Sequence, residues 1–341
     1  MERSGLVGPD PREGGWRNRF ARLVAASTLF LIFAGGMVTS TGSGLSVPDW
    51  PLSFGKVFPE EFQEGFHRIG LVRGVFYEHG HRMVAATVGM LTVVLAVWFA
   101  VGEPRRWVRR VALGALGLVI LQGVLGGITV LLRLPAGVSV AHAGLANLFL
   151  CTTVLLAVVT GRWWAGAGAA PETAPLRRLT AIATAGIYVQ ILLGAVMRHT
   201  ASGFAIPDFP LAMGRLIPPM DDPRVAIHFA HRVGAACVVI LVGAVLLRTL
   251  RCHRRDPALL YPALLLGTLT AAQVTLGAFT IWTAKAAVIT TFHVATGSAT
   301  LATSVMLTLH AARRARAAGE AVGAAEAGRV GARPAAAGGR L

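Results

Sequence analysis

The sequence predicts an all-α polytopic membrane protein, its eight transmembrane helices forming two tandem four-helix bundles related by a pseudo-twofold axis along the membrane normal. Three observations lead there. Apolar residues make up 54% of the 341 and charged residues only 14%, a balance outside that of ordinary soluble domains. The apolar residues come in runs of about 20, the length that crosses a hydrocarbon core of roughly 30 Å. The second half of the chain repeats the first.

The runs fall at 21–41, 80–101, 109–132, 138–160, 178–198, 226–249, 258–282 and 287–310. Residues 1–16 are polar and Gly-rich, and the first run is long enough to span, so no cleavable signal peptide is expected. The net charge of +16 follows the membrane, not a nucleic-acid surface. With the N-terminus cytoplasmic, 22 of the 32 Lys and Arg residues fall in inner segments: 1–22, 105–110, 162–178, 248–255 and beyond 312. Eight of the 16 acidic residues accompany the remaining cations outside, leaving +14 inside and +2 outside. This is the positive-inside pattern, with both termini cytoplasmic and no nucleic-acid partner implied. Beyond about 315 the chain is Ala/Gly/Arg low-complexity sequence, expected to be disordered. Cys151 and Cys237 fall within spans and Cys252 in an inner loop, so no outer disulfide pair is available.

The repeat is explicit. GGMVTSTGSGLSVPDWPLSFGKVFP at 35–59 aligns without a gap on GAVMRHTASGFAIPDFPLAMGRLIP at 194–218. Pro48-Asp49-Trp50-Pro51 falls on Pro207-Asp208-Phe209-Pro210, His81-Arg82 on His231-Arg232, Gln122 on Gln273, and His142 on His293. An even number of spans per unit returns the chain to its starting side, so the two halves share one orientation. Each half is then a four-helix bundle, able to hold a cofactor between facing helices.

Four histidines carry the chemistry. Of the ten in the chain, His253 and His310 fall at inner positions, and His67 and His199 in outer regions. His81, His142, His231 and His293, with His79 and His228 as neighbours, lie near the first turns of spans two, four, six and eight, which all run from outside to inside. Their side chains therefore sit at similar depth, as two axial ligands of one heme plane require in each half. Ionisable residues inside a membrane are costly and usually functional. Zinc would want three or four converging ligands, whereas paired imidazoles in an apolar bundle suit heme iron. Small residues at Gly35, Gly36, Gly126, Gly127, Gly194 and Gly277 thin the helices for close packing or a flat macrocycle. Arg82, Arg232, Arg133, Arg198, Arg215 and Lys285 lie near the outer face against the positive-inside bias, where porphyrin propionates would give them a charged partner.

The repeat breaks at one telling place. EHGHR at 78–82 aligns with HFAHR at 228–232, so Glu78 stands where the second half has His228. One helical turn before His81, Glu78 shares its face. A carboxylate beside one heme and an imidazole beside the other imply different tasks, because an acid or base is useful where bonds are made and broken.

TGSGLSVPDWP at 41–51, the E-x-x-H-R motif at 78–82, its H-x-x-H-R echo at 228–232 and one histidine in each fourth span resemble the heme A synthases over about residues 20–312. The resemblance implies oxidation of a methyl substituent of heme O to a formyl group, giving heme A for terminal oxidases. It implies Glu78 as the catalytic carboxylate and His81, His142 and Arg82 on the substrate heme O side. It implies a heme B cofactor ligated by His231 and His293, with Arg232, Arg198 and Lys285 at the heme edge. Heme O synthase, membrane lipid and an electron donor or acceptor are the implied partners, and the cell membrane the implied location. Many members carry a cysteine pair in the first outer loop, where this chain has Val47 and Ser53, so a mechanism needing thiols there is ruled out. The domain expectations are a cytoplasmic segment at 1–20, a substrate half at 21–161, a cytoplasmic linker at 162–177, a cofactor half at 178–312 and a tail at 313–341. The rival is a cytochrome b-like quinol electron carrier with two permanent hemes, which would share the histidine pairs but has no use for Glu78.

Overall fold

A computed structural model describes residues 11–60, 62, 73–170 and 173–331. His67 lies outside the described residues. The long helices are α1 (Pro11–Ser40), α2 (Arg73–Gly102), α3 (Arg106–Leu131), α4 (Ala136–Val159), α6 (Thr173–His199), α7 (Pro223–Cys252), α8 (Pro257–Trp282) and α9 (Ala287–Gly331), with a single turn, α5 (Arg162–Ala165), between the halves. Among the described residues, eight helices are long and apolar enough to cross a membrane, the shortest such stretch having 24 residues. At about 1.5 Å per residue even that one exceeds the hydrocarbon thickness. The chain is a multi-pass membrane protein, and each expected span coincides with one of these helices, those at 21–41, 109–132 and 138–160 running one residue past the helix end.

Two starts on the side of the chain termini or loops show how sequence sets helix ends. Asp222 accepts from the Arg224 amide at 2.8 Å and Asp256 from the Ala258 amide at 3.0 Å, each followed by a proline at the first helical position. The α3–α4 and α8–α9 turns repeat one geometry. Arg133 and Leu134 in one, and Ala284 and Lys285 in the other, have positive φ. Leu134 donates back to Thr129 O at 2.7 Å and Lys285 to Thr280 O at 2.8 Å.

In the first half, α1 and α3 each pack on both α2 and α4, so α2 and α4 face each other across the bundle. In the second half, α6 and α8 each pack on both α7 and α9, which face each other likewise. The halves meet through α1 on α9, α4 on α6 and α4 on α9.

The apolar cores occupy one end of each bundle, the end that carries the chain termini. Leu95, Phe99, Ala112, Phe149 and Leu156 are fully packed in the first half, and Leu176, Val245, Leu259, Leu266, Leu301 and Leu307 in the second. The opposite end holds His81, His142, His231 and His293 and the glycines beside them. One expectation differs from the structure. The segment beyond about 315, expected to be disordered, continues α9 as helix through Gly331. Its alanines, arginines and glutamates are strong helix formers, and a helix already nucleated by packing propagates into them without a new nucleation cost.

Candidate functional site

The loops after α1 and α6 are built alike. The Asp49 carboxylate accepts from the Phe54 and Gly55 amides at 2.7 and 2.8 Å, and Asp208 from Met213 and Gly214 at the same two distances. Gly55 and Gly214 take φ of +71° and +73°, the left-handed region that glycine enters freely. Burial works upward at Asp49, but the Gly55 and Phe54 amides outweigh it and hold its carboxyl below the ordinary value. The Gly214 and Met213 amides hold Asp208 low in the same way.

Arg82 and Arg232 clamp these loops. Arg82 donates to Asp49 O at 2.7 Å, Leu52 O at 2.8 Å and Val47 O at 3.2 Å. Arg232 donates to Asp208 O, Leu211 O and Ile206 O, the matching residues, at the same distances. The terminal nitrogens of both arginines, which the sequence offered to heme propionates, hold loop carbonyls.

Glu78 is 4% exposed, so it is a buried residue and not a solvated one at a helix entrance. Its Oε2 accepts from the Val47 amide at 2.9 Å and its Oε1 pairs with Arg82 Nη2 at 2.8 Å. At the same position of the second half, His228 Nδ1 accepts from the Ile206 amide at 3.2 Å. The two residues do one structural task with different chemistry: the first half gains a buried ion pair, the second a neutral acceptor.

A second break accompanies the first. Ser53 Oγ lies 2.8 Å from Nδ1 of the buried His79 and 3.4 Å from Arg82 Nη1. The second half has Ala212 and Phe229 at these positions, in an apolar cluster with Ile206 and Val225. Sequence reasoning left His79 without a role, although its alignment on phenylalanine was a readable signal. Val47 and Ser53, the two positions singled out for lacking cysteine, are both tied to α2 by hydrogen bonds, to Glu78 and His79. Cys151, Cys237 and Cys252 are free.

The four histidines of the set share one environment, each ring lying against a glycine of the neighbouring helix. A Cβ added to Gly35 on α1 would stand 3.0 Å from His81 Cε1, and one on Gly194 of α6 the same distance from His231 Cε1. On Gly126 of α3 and Gly277 of α8 it would stand 3.2 Å from His142 and His293 Cε1. Only a residue without a side chain lets an imidazole lie that close to a helix backbone. His81 and His142 come from the helices that face each other in the first half, and His231 and His293 from those that face each other in the second. Nδ1 of His81, His142 and His293 is buried with no hydrogen-bond partner. Gln122 donates to His142 O at 3.0 Å and lies 3.3 Å from its Nε2; Gln273 lies 3.4 Å from His293 Nε2. Among the described residues, no three His, Cys, Asp or Glu side chains converge on a point.

Trp50 closes the first bundle by lying across Gly127, where any Cβ would overlap the indole. The second half has the smaller Phe209 and Ala278 at the matching positions. Arg198 donates to Ser40 Oγ of the other half at 2.5 Å, and Thr291 to the same oxygen at 3.1 Å. Lys285 lies over the Phe204 ring, 5.9 Å from its centroid. The structure therefore sets Arg198 between the halves and Lys285 in the α8–α9 turn.

Residues 18–306 match the family model described as Cytochrome oxidase assembly protein (COX15-CtaA). The chain is similar to a protein named Heme A synthase from Symbiobacterium thermophilum, 34% identical over 261 residues that cover 74% of this chain and 81% of the relative. A Heme A synthase from Caulobacter vibrioides is 31% identical, covering 78% and 86%, and one from Geobacillus kaustophilus is 27% identical, covering 77% and 81%.

Proposed function

Since the chain belongs to the Cytochrome oxidase assembly protein family, we propose that it is a heme A synthase, oxidising a methyl substituent of heme O to a formyl group. The observation that carries this reading is the four glycine-backed imidazoles on facing helices, with a buried carboxylate beside one pair and none beside the other. Curated relatives bearing the name Heme A synthase support it. The buried carboxylate beside His81 favours it over an electron carrier with two permanent hemes.

The residues fit a heme. Orphaned imidazole nitrogens in an apolar bundle suit a metal, and glycine backing makes room for the rings between the helices. His231 and His293 would hold a heme B, which when bound supplies one-electron redox chemistry. His81 and His142 would hold heme O as substrate. Methyl oxidation to an aldehyde brings one oxygen atom, for example from water, onto a poorly activated carbon and releases electrons and protons, so it also needs an electron acceptor. Glu78 is placed to accept a proton, or to oppose positive charge developing near it, through Oε1 and Oε2. Arg82 and the Val47 amide keep that carboxyl group oriented. Trp50 over Gly127 and the clamped loop cover the outer end and exclude water. Arg198, whose recorded hydrogen bond goes to a serine hydroxyl, is the cation best placed for a propionate.

In this reading the halves divide as 21–161 for substrate and 178–312 for cofactor. The helix contacts α1 on α9 and α4 on α6 exchange under the repeat, which supports a pseudo-twofold axis. The charge asymmetry supports cytoplasmic termini in a cell membrane. A farnesylated porphyrin would reach the site laterally from the bilayer, from the enzyme that makes it. The test is expression in a host that makes heme O, followed by chromatography of the extracted hemes. Heme A appearing with this chain, and not with its Glu78→Gln variant, is the expected result; heme O left unconverted by the intact chain contradicts it.

A further inference from the structure

Three of the four imidazoles have a glutamine beside them, and the exception follows a break in the repeat. Gln122 and Gln273 lie beside Nε2 of His142 and His293, and Gln122 also donates to His142 O. Gln190 serves His231. Lying one turn before Gly194 on α6, it donates to His231 O at 2.7 Å and sits 3.0 Å from His231 Nδ1. Its amide occupies the space beside Gly234, where any Cβ would overlap Oε1. The matching positions of the first half are Leu31 and Val84, both part-buried and packed on that half's apolar core. The amide and the room for it are thus missing together. His81 Nδ1 is buried there with no hydrogen-bond partner.

We propose that the Gln190–Gly234 pair makes His231 a fixed ligand, so that the second half keeps its heme, while Leu31 and Val84 leave His81 able to release one heme and accept the next. The inference rests on the reading of both halves as heme sites. With its backbone carbonyl held by Gln190 and its ring wedged between that amide and Gly194, His231 loses less freedom on binding iron. A substrate site has the opposite requirement, because its product must leave at every turnover. Gln190 is then a positioning residue that sorts a cofactor site from a substrate site on otherwise repeated architecture.

The test uses the full chain in detergent, loaded with iron protoporphyrin IX, and follows heme transfer to excess apomyoglobin by absorbance. Two phases are expected, the fast one abolished by His81→Leu and the slow one by His231→Leu. Gln190→Leu should speed the slow phase by about 10- to 100-fold, the range typical of a lost ligand-orienting partner, without changing the fast one. Leu31→Gln with Val84→Gly should slow the fast phase toward the slow, a gain that misfolding cannot imitate. An unchanged slow phase in Gln190→Leu together with an unchanged fast phase in the double variant overturns the proposal. If His231→Leu removes neither phase, the heme-site reading fails instead, independently of Gln190.

Discussion

Glu78 and His228 hold matching loop amides from matching positions, which separates what the position does for the fold from what the carboxylate does for chemistry. Glu78→Gln keeps an oxygen for the Val47 amide and removes charge and basicity. Heme binding should survive, and heme A formation should fall about a hundred- to ten-thousandfold, the usual cost of losing a general acid or base; chromatography of extracted hemes measures both. Glu78→His, imitating the second half, should give the same outcome. Near-normal heme A from either variant would reduce Glu78 to a loop anchor. The glycines make an equally local prediction. A methyl at Gly194 would stand 3.0 Å from His231 Cε1, tighter than ordinary contact, so Gly194→Ala must displace the ring. We expect it to weaken the heme of the second half by about 10- to 100-fold, as disturbed ligand orientation does, whereas Gly243→Ala, facing open space on α7, should leave heme content unchanged.

At the scale of elements, the two outer loops are held by one carboxylate and one guanidinium each. Both carboxyls titrate below the ordinary 3.8. A lowered folded-state value means that the stabilisation is complete above the unfolded value and is lost as pH falls through the folded one. Acid should therefore open the 48–58 and 207–217 loops to pepsin below about pH 4 while the helices remain. Asp208→Asn should open its loop already at about pH 5, and equal resistance of that variant would show that the carboxylate is not the anchor. The Pro-Asp-Trp-Pro repeat made these loops visible in sequence, yet the task of Arg82 and Arg232 was not. A cation at an outer helix end reads equally as a ligand for a propionate or for a carbonyl, and only the folded loop shows which carbonyls converge on it. Helix existence was legible from apolar runs longer than the membrane is thick. Helix ends were less so, since polar residues such as Arg73 and the alanine-rich stretch after Leu307 continue a helix beyond the apolar run.

Across the whole molecule, apolar cores fill the end bearing the termini and the histidines occupy the other. The histidine pairs were legible because duplication repeats them at one depth. Gln190 and Gly234 were not, because their meaning lies in what Leu31 and Val84 fail to provide, and that requires knowing that α6 meets α7 at those residues. The proposed topology, with both termini cytoplasmic, rests on the charge asymmetry. Val57→Cys, at an exposed loop position, should react with a membrane-impermeant thiol reagent from outside intact cells; labelling only in inverted vesicles would reverse the orientation.

The account stands most directly on two unlike heme sites, one per half, and the heme B content of four purified single variants tests it. His231→Leu and His293→Leu should each lose the stable low-spin heme B signal. His81→Leu and His142→Leu should each keep that signal and lose conversion of heme O. Equal loss of the same heme from all four would contradict the division between the halves.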